Sequence, residues 1–177
     1  MSFLYFAYGS NMLTSRLIAR CPSARAIGTA SAANHALEFS KKSMDGSGKA
    51  TLIAQNNTIH TPGVLFEIDE CERDALDKFE GAGKGYDRVN EFSVTTFEET
   101  VSATTYLASE TQSGLLPFDW YLAVVIAGAL EHELGGDHQN LLRGIAHTVD
   151  EDLTRKTRTA ALKALADHGY LDYRALL

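Results

Sequence analysis

The chain begins with MSFLYFAYGSNM, residues 1–12, and this stretch indicates both a fold and a site. Its apolar and aromatic part, Phe3–Tyr8, predicts a buried strand that ends abruptly at Gly9-Ser10-Asn11. Asn11 is expected to cap a helix that continues over residues 13–18. A strand, a tight turn and a helix start bring several backbone N–H groups to one point. The opening stretch therefore predicts a binding wall for a carboxylate or a developing oxyanion.

Composition limits the class of protein. The 177 residues are 45% hydrophobic and 22% charged, which predicts a single globular domain over residues 1–177. The formal net charge of −7 argues against a partner in nucleic acid and, more weakly, against acidic membranes. We expect a cytoplasmic protein, because the sequence has neither a signal-peptide pattern nor an apolar run long enough to span a bilayer. Cys21 and Cys71 are predicted to be reduced and buried.

Strand-like runs fill the first part of the chain and helical patterns fill the last third. After the opening strand, we expect strands at residues 36–39, 50–54, 63–68, 92–97 and 102–108. No helical pattern separates the last two, so they are predicted to form an antiparallel hairpin. Helices are expected at residues 119–134, 140–147 and 151–168. Strands first and helices last favour the α+β class over a regular βαβ sheet.

Two polar segments carry weaker signals. KKSMDGSGK, residues 41–49, is predicted to be a mobile surface loop, either a plain hairpin connection or a flap over a ligand. Asn56-Asn57-Thr58 matches an N-glycosylation sequon, which a cytoplasmic chain would not use.

A short helix is predicted where the sequence reads DECERDALDKFEG, residues 69–81. Asp69 and Glu72 have the spacing of a capping box, and Gly81 is a natural C-terminal stop. The buried face of this helix is expected to contain Cys71, Ala75, Leu76 and Phe79.

Glu80 is the unusual residue of that helix. A carboxylate at a helix C-terminus faces the negative end of the macrodipole, which disfavours its charged form. A carboxyl group in such surroundings suits proton transfer. Taken alone, however, the pattern favours an exposed glutamate that the helix tolerates, and only another line of evidence can reverse that interpretation.

Several motifs together resemble the γ-glutamylcyclotransferase family. SFLYFAYGSN at residues 2–11 is similar to the family's signature loop, without a gap. LDKFEG at residues 76–81, with Tyr86 shortly after, resembles the family's second block. TYLA at residues 105–108 is similar to its later strand, and residues 117–129 resemble its P-x-x-x-Y…GA segment. The matches keep the family's order from Ser2 to about Ala129.

The resemblance implies a fold, a reaction and a set of site residues. The fold is a small mixed β-barrel with flanking helices, within the α+β class. The reaction is an intramolecular attack of a γ-glutamyl α-amine on its own γ-carbonyl, which gives 5-oxoproline and releases an amine or amino acid without metal or cofactor. Glu80 is implied as the base that then serves as acid. The positions implied for substrate binding are Tyr5, Phe6, Ala7, Tyr8, Gly9, Ser10 and Tyr121, while Tyr86 and Tyr106 either line the site or pack.

Two alternatives stay open at this point. One is a non-catalytic γ-glutamyl-binding module, against which the retained Glu80 argues. The other is a related acyl-transfer enzyme that acts on a γ-glutamylated biosynthetic intermediate, since the sequence does not define the leaving group. In each case the partner is a small-molecule γ-glutamyl substrate, and a homodimer is compatible with the resemblance. Patterns for a serine nucleophile elbow, a Walker loop or a helical zinc pair do not occur.

Overall fold

A closed barrel of five strands is the central feature of the computed structural model, which describes residues 1–56 and 58–177. Asn57, the middle residue of the sequon, lies outside the described residues. The barrel order is β1-β5-β2-β6-β7, and β3 and β4 form a separate hairpin. The strands are β1 Ser2–Ala7, β2 Arg25–Ala33, β3 His35–Lys42, β4 Gly48–Ala54, β5 His60–Asp69, β6 Tyr86–Thr95 and β7 Thr100–Ala108. The predicted mixed barrel is therefore confirmed.

Residue Tyr5 shows how the barrel closes. It lies opposite Phe66 in the antiparallel pair of β1 with β5, and opposite Thr104 in a parallel pairing of β1 with β7. The predicted antiparallel hairpin of β6 and β7 is confirmed. Strand β1 thus lies between β5 and β7 in the barrel. The turn that follows its last residue, Ala7, lies at one end of the barrel.

Strand β2 was not predicted from the sequence. Its residues, RAIGTASAA, are mostly small and have low intrinsic strand propensity. It forms because it pairs along nearly its whole length with β5, with Thr29 opposite Val64. Tertiary pairing therefore decides this element.

Within the described residues, five α-helices flank the barrel: α1 Thr14–Ile18, α2 Arg73–Glu80, α3 Asp119–Glu131, α4 Gly136–Arg143 and α5 Lys156–Asp167. Helix α3 is apolar around its whole circumference and is buried from Asp119 to Ala129. The bounds predicted for the last two helices were wrong. Helix α4 begins and ends four residues before its predicted bounds, and α5 begins five residues after its predicted start. No helix in the described part of the chain is both long enough and apolar enough to cross a bilayer.

Three local predictions on α2 have different outcomes. Gly81 ends the helix with a φ of 70°, as predicted, in the left-handed conformation that glycine tolerates. The capping box is wrong, because Glu72 instead accepts hydrogen bonds from Ser23 N (3.1 Å) and Ser23 Oγ (2.6 Å). The predicted apolar stripe is also wrong: Leu76 is buried, but Phe79 is 54% exposed and Cys71 is exposed. Cys71 thus differs from Cys21, which is buried as expected.

The loop that was predicted at residues 41–49 is shorter in the structure. Strand β3 continues through Lys42 and β4 begins at Gly48, so only residues 43–47 connect them. The Asp45 carboxylate accepts hydrogen bonds from Ser47 N (3.0 Å) and Ser47 Oγ (2.6 Å), which holds the turn. The segment is a hairpin connection, and its role as a flap over a ligand stays a prediction.

Candidate active site

A small cavity of about 30 Å³ lies where the end of β1 meets the C-terminus of α2. Parts of the chain from residue 5 to residue 121 meet in this cavity. Its lining residues are Tyr5, Tyr8, Gly9, Ser10, Asn11, Ala50, Glu80, Tyr86, Tyr106 and Tyr121. The predicted turn and the predicted proton-transfer residue therefore face one cavity, although about seventy residues of sequence separate them.

Glu80 is held by two side chains from the segment that follows β1. Its Oε1 accepts hydrogen bonds from Asn11 Nδ2 and from Arg20 Nη1, each at 2.8 Å. The side chains of Arg20 and Glu80 are each only 17% exposed. A guanidinium and an amide donor thus hold the carboxyl group in one orientation on the cavity wall.

Asn11 does not cap a helix, and that prediction is wrong. Helix α1 begins after Leu13, and residues 10–12 form a 3₁₀ turn. The Asn11 amide instead donates to Tyr5 Oη (2.9 Å) and to Glu80, while its Oδ1 accepts from Arg20 Nη1 (2.8 Å). With both amide protons and the oxygen engaged, Asn11 has one orientation and links Tyr5, Arg20 and Glu80.

The turn after β1 is closed by a hydrogen bond from Met12 N to Gly9 O (3.0 Å). The first N–H groups of such a turn have no acceptor within it and are open to a ligand. Gly9 lies close to β4, since a Cβ there would be 3.1 Å from Ala50 Cβ, a tight contact. The absence of a side chain at Gly9 thus lets β4 pack against the turn beside the cavity.

Tyr121 and Tyr86 fix the β4 side of the cavity through one residue. Ala50 N donates to Tyr121 Oη (3.1 Å), and Tyr86 Oη donates to Ala50 O (2.6 Å). Ala50 was not identified from the sequence, since it contributes its backbone and no side-chain pattern marks such a position.

The remaining two cavity tyrosines, Tyr8 and Tyr106, form hydrogen bonds to β7 and α2. Tyr8 Oη donates to the carbonyl of Tyr106, and Tyr106 Oη donates to Asp77 Oδ1 (2.6 Å). Asp77 also forms an ion pair with Arg88 of β6 (2.6 Å), so Asp77 links Tyr106 to that strand. Tyr86 and Tyr106, for which the sequence left packing and site roles open, both line the cavity and make these polar contacts.

All five cavity tyrosines stay protonated well above neutral pH. Burial is the largest cause that raises the pKa of each of these tyrosines above its ordinary value of 10.0, and the Glu80 carboxylate raises each one further. For Tyr121, contacts with the Ala50 backbone and with Ser10 oppose the shift. The cavity therefore presents neutral hydroxyl groups around one carboxylate.

Phe6 and Ala7 have a different location from the other predicted binding residues. Both are buried, and neither is among the residues that line the cavity. Phe6 stacks on Phe92 with ring centroids 6.2 Å apart, and its carbonyl accepts from Thr105 Oγ1 (2.9 Å). Their part in substrate binding stays a prediction.

The described residues contain no cluster of three or more His, Cys, Asp or Glu side chains that could hold a metal ion. The polar groups of the cavity are hydroxyls, amides and one carboxylate. Such a set can bind a polar ligand and move a proton.

Comparison with known proteins extends the similarity beyond the motifs. The AIG2-like family model matches residues 60–142. Gamma-glutamylcyclotransferases from Homo sapiens and Mus musculus are each 33% identical to this chain over 149 residues, which is 81% of this chain and 79% of each relative. A solved structure of a gamma-glutamyl cyclotransferase superposes with a TM-score of 0.82 at 28% identity, covering 92% of this chain and 99% of that one. Sequence and fold are thus similar over most of the chain.

Proposed function

Because this chain belongs to the γ-glutamylcyclotransferase family, we propose that it is an enzyme that cyclises a γ-glutamyl group to 5-oxoproline and releases an amine or amino acid. One observation carries the proposal. Glu80, held by Asn11 and Arg20, lies on the same small cavity as the turn formed by Tyr8, Gly9 and Ser10. A proton acceptor and a group of hydrogen-bond donors on one cavity are what the cyclisation requires.

The proposed reaction begins with a proton transfer to Glu80. A free α-amino group has a pKa of about 8 and is mostly protonated at neutral pH. The Glu80 carboxylate takes one proton from it, and the amine nitrogen then attacks the γ-carbonyl carbon. A ring C–N bond forms, and the carbonyl oxygen gains charge that the N–H groups of the turn stabilise.

Collapse of this intermediate breaks the original amide bond. Glu80 gives its proton to the leaving nitrogen, then takes the second proton that the ring nitrogen must lose and passes it to the departing amine, so one residue acts as base and acid in turn. No water is consumed. Since the attack is intramolecular, holding the glutamyl group in a folded conformation supplies much of the rate. We assign this positioning to Tyr5, Tyr8, Gly9, Ser10 and Tyr121.

An activity assay with paired substrates tests the proposal. The protein is incubated with γ-glutamyl-alanine and, separately, with N-acetyl-γ-glutamyl-alanine, and 5-oxoproline and alanine are measured. We expect turnover only of the free amine, because the acetyl group blocks the nucleophile itself. Equal release of alanine from both compounds would mean hydrolysis or another acyl transfer. Binding without any product would instead indicate the non-catalytic module.

We further propose that the chain works in the cytoplasm as a single domain over residues 1–177, in agreement with its composition and acidic charge. Its partner is a small-molecule γ-glutamyl compound and no nucleic acid. Sedimentation of the purified protein tests whether it forms the homodimer that the resemblance allows.

A further inference from the structure

A second and wider cavity, of about 190 Å³, adjoins the first. The two share Ser10, Glu80, Tyr86 and Tyr121. Four cationic side chains line only the wider cavity: Arg16, Arg20, Lys41 and Lys49. The positive charge thus lies outside the small cavity, on the walls of the wider one.

Two of these four cations are already neutralised. Arg20 pairs with Glu80 (2.8 Å) and Lys49 pairs with Asp45 (3.3 Å). Within residues 1–56 and 58–177, Arg16 and Lys41 form no ion pair. The wider cavity therefore has two cations without a partner carboxylate, which favours an anionic ligand with more than one negative charge.

Arg16 is the clearest case of a cation in this cavity without a partner carboxylate. Its side chain is buried, with 8% of the residue exposed, and its Nε has no hydrogen-bond partner in the described chain. Burial, with a smaller contribution from the neighbouring Arg20 charge, lowers the pKa of Arg16 to about 9. A buried guanidinium without a partner is costly, and an anion in the cavity would remove that cost.

The two lysines are held on the aromatic walls of the cavity. Lys49 Nζ lies 4.5 Å from the centroid of Tyr121 and 5.0 Å from that of Trp120, and Lys41 Nζ lies 4.9 Å from that of Tyr86. These contacts place both ammonium groups beside the tyrosines that separate the two cavities. Burial lowers the pKa of Lys49 to about 8 against the opposing effect of Asp45, and Arg16 and Lys41 add to the lowering. Arg16 and Lys41 thus both act on the charge of Lys49.

We propose that the wider cavity binds the leaving group, and that it selects an acidic amino acid whose two carboxylates face Arg16 and Lys41. An ordinary amino acid would bring only its α-carboxylate and leave one cation unpaired. Glutamate or aspartate brings a second carboxylate and neutralises both. This inference rests on the proposed cyclisation, because it concerns the group that the same reaction releases.

Two substrates of nearly the same shape test the charge requirement. The value of kcat/KM is measured for γ-glutamyl-glutamate and for γ-glutamyl-glutamine, which differ by one carboxylate against an amide. We expect the acidic substrate to be favoured by about tenfold or more, the effect of one buried charged hydrogen bond. A ratio within about twofold would overturn the inference.

A matched pair of variants assigns the effect to the cavity. In Lys41→Gln, which removes a cation of the cavity, the preference for the acidic substrate should fall about fivefold or more. Lys42→Gln removes the same charge from the next residue of β3, which is exposed and is not among the lining residues, and should leave the preference unchanged. If both variants lowered the preference equally, the effect would be one of overall charge and the inference would fail. Arg16 is left unchanged in this test because its burial would make a folding defect hard to separate.

A binding measurement separates this inference from the proposed function. If γ-glutamyl-alanine is converted to 5-oxoproline but the acidic substrate is not preferred, the cyclisation stands and the inference falls. If no substrate is converted, the proposed function falls, and calorimetry with γ-glutamyl-glutamate and γ-glutamyl-glutamine on the parent protein decides the inference. Tighter binding of the acidic compound by about tenfold or more would support it, and equal binding would refute it.

Discussion

At the scale of single residues, the position of Glu80 depends on Asn11 and Arg20. Glu80 is the last residue of α2, where a helix frays most easily, and both partners come from the segment after β1. Each hydrogen bond is 2.8 Å long and joins parts of the chain separated by 60 residues or more. The carboxylate is therefore oriented by tertiary contacts and not by its own helix.

Replacing Glu80 by glutamine should remove most turnover and retain the fold. The amide keeps the shape of the carboxylate but cannot take the proton, so kcat is expected to fall by about 10²–10⁴-fold. The control is Asp74→Asn, which makes the same chemical change at an exposed position of α2. Kinetics and thermal unfolding are measured for both. Activity of Glu80→Gln within about threefold of the parent would refute the assignment.

At the scale of elements, α3 positions the turn that carries the site. Gly128 of this helix lies against the segment after β1, where a Cβ would be 2.6 Å from both Leu13 N and Met12 Cβ. Contacts this short leave no room for a methyl group, and one of the neighbours is backbone. The approach of α3 to residues 10–13 therefore requires a glycine at this position.

Substituting alanine for Gly128 should destabilise the protein and impair the site together. Overpacking costs about 1–3 kcal/mol, and its relief would displace the turn that contains Ser10 and Asn11. Gly136→Ala serves as the control, because a Cβ there meets nothing within 4 Å, and its effect should stay within about 0.5 kcal/mol. Urea denaturation gives the free energies of unfolding, and kcat/KM gives the effect on the site. Equal stability of the two variants would contradict this account of the packing.

At the scale of the whole molecule, the cavity concentrates buried phenol groups. Five of the seven tyrosines line it, and each has a pKa raised chiefly by burial. A pKa that is raised in the folded state stabilises that state fully below the ordinary value of 10.0. The stabilisation is lost as the pH rises above that value, because only the unfolded chain then ionises.

We therefore expect the protein to lose stability steeply above pH 10. Each tyrosine that ionises only on unfolding lowers the free energy of unfolding by about 1.4 kcal/mol per pH unit. Urea denaturation between pH 8 and 11.5, followed together with phenolate absorbance, measures the effect. The absorbance should rise mainly with unfolding. Full phenolate absorbance near pH 10 in a protein that is still folded would rule the account out.

Local pattern alone was enough to predict many elements and the ends of some. The apolar run at residues 3–8, the hairpin of β6 and β7, and the stop at Gly81 all follow from side-chain alternation or backbone conformation. The motifs around Ser10 and Glu80 also pointed to a shared cavity, because one substrate would have to meet both. The strands and the helix stop could be predicted because the interactions that determine them are local, whereas the shared cavity followed from the family resemblance.

Other features were decided by the tertiary structure. Strand β2 forms by pairing with β5, since its own residues favour no strand. Asn11 would suit a helix cap, but it binds Glu80, which lies 69 residues away and gives its amide a stronger partner. Ala50 enters the site through its backbone, and the β3–β4 hairpin brings Lys41 of β3 and Lys49 of β4 to the second cavity. Sequence gives the local preference of such residues, but the free energy of their long-range contacts is larger and determines where they lie.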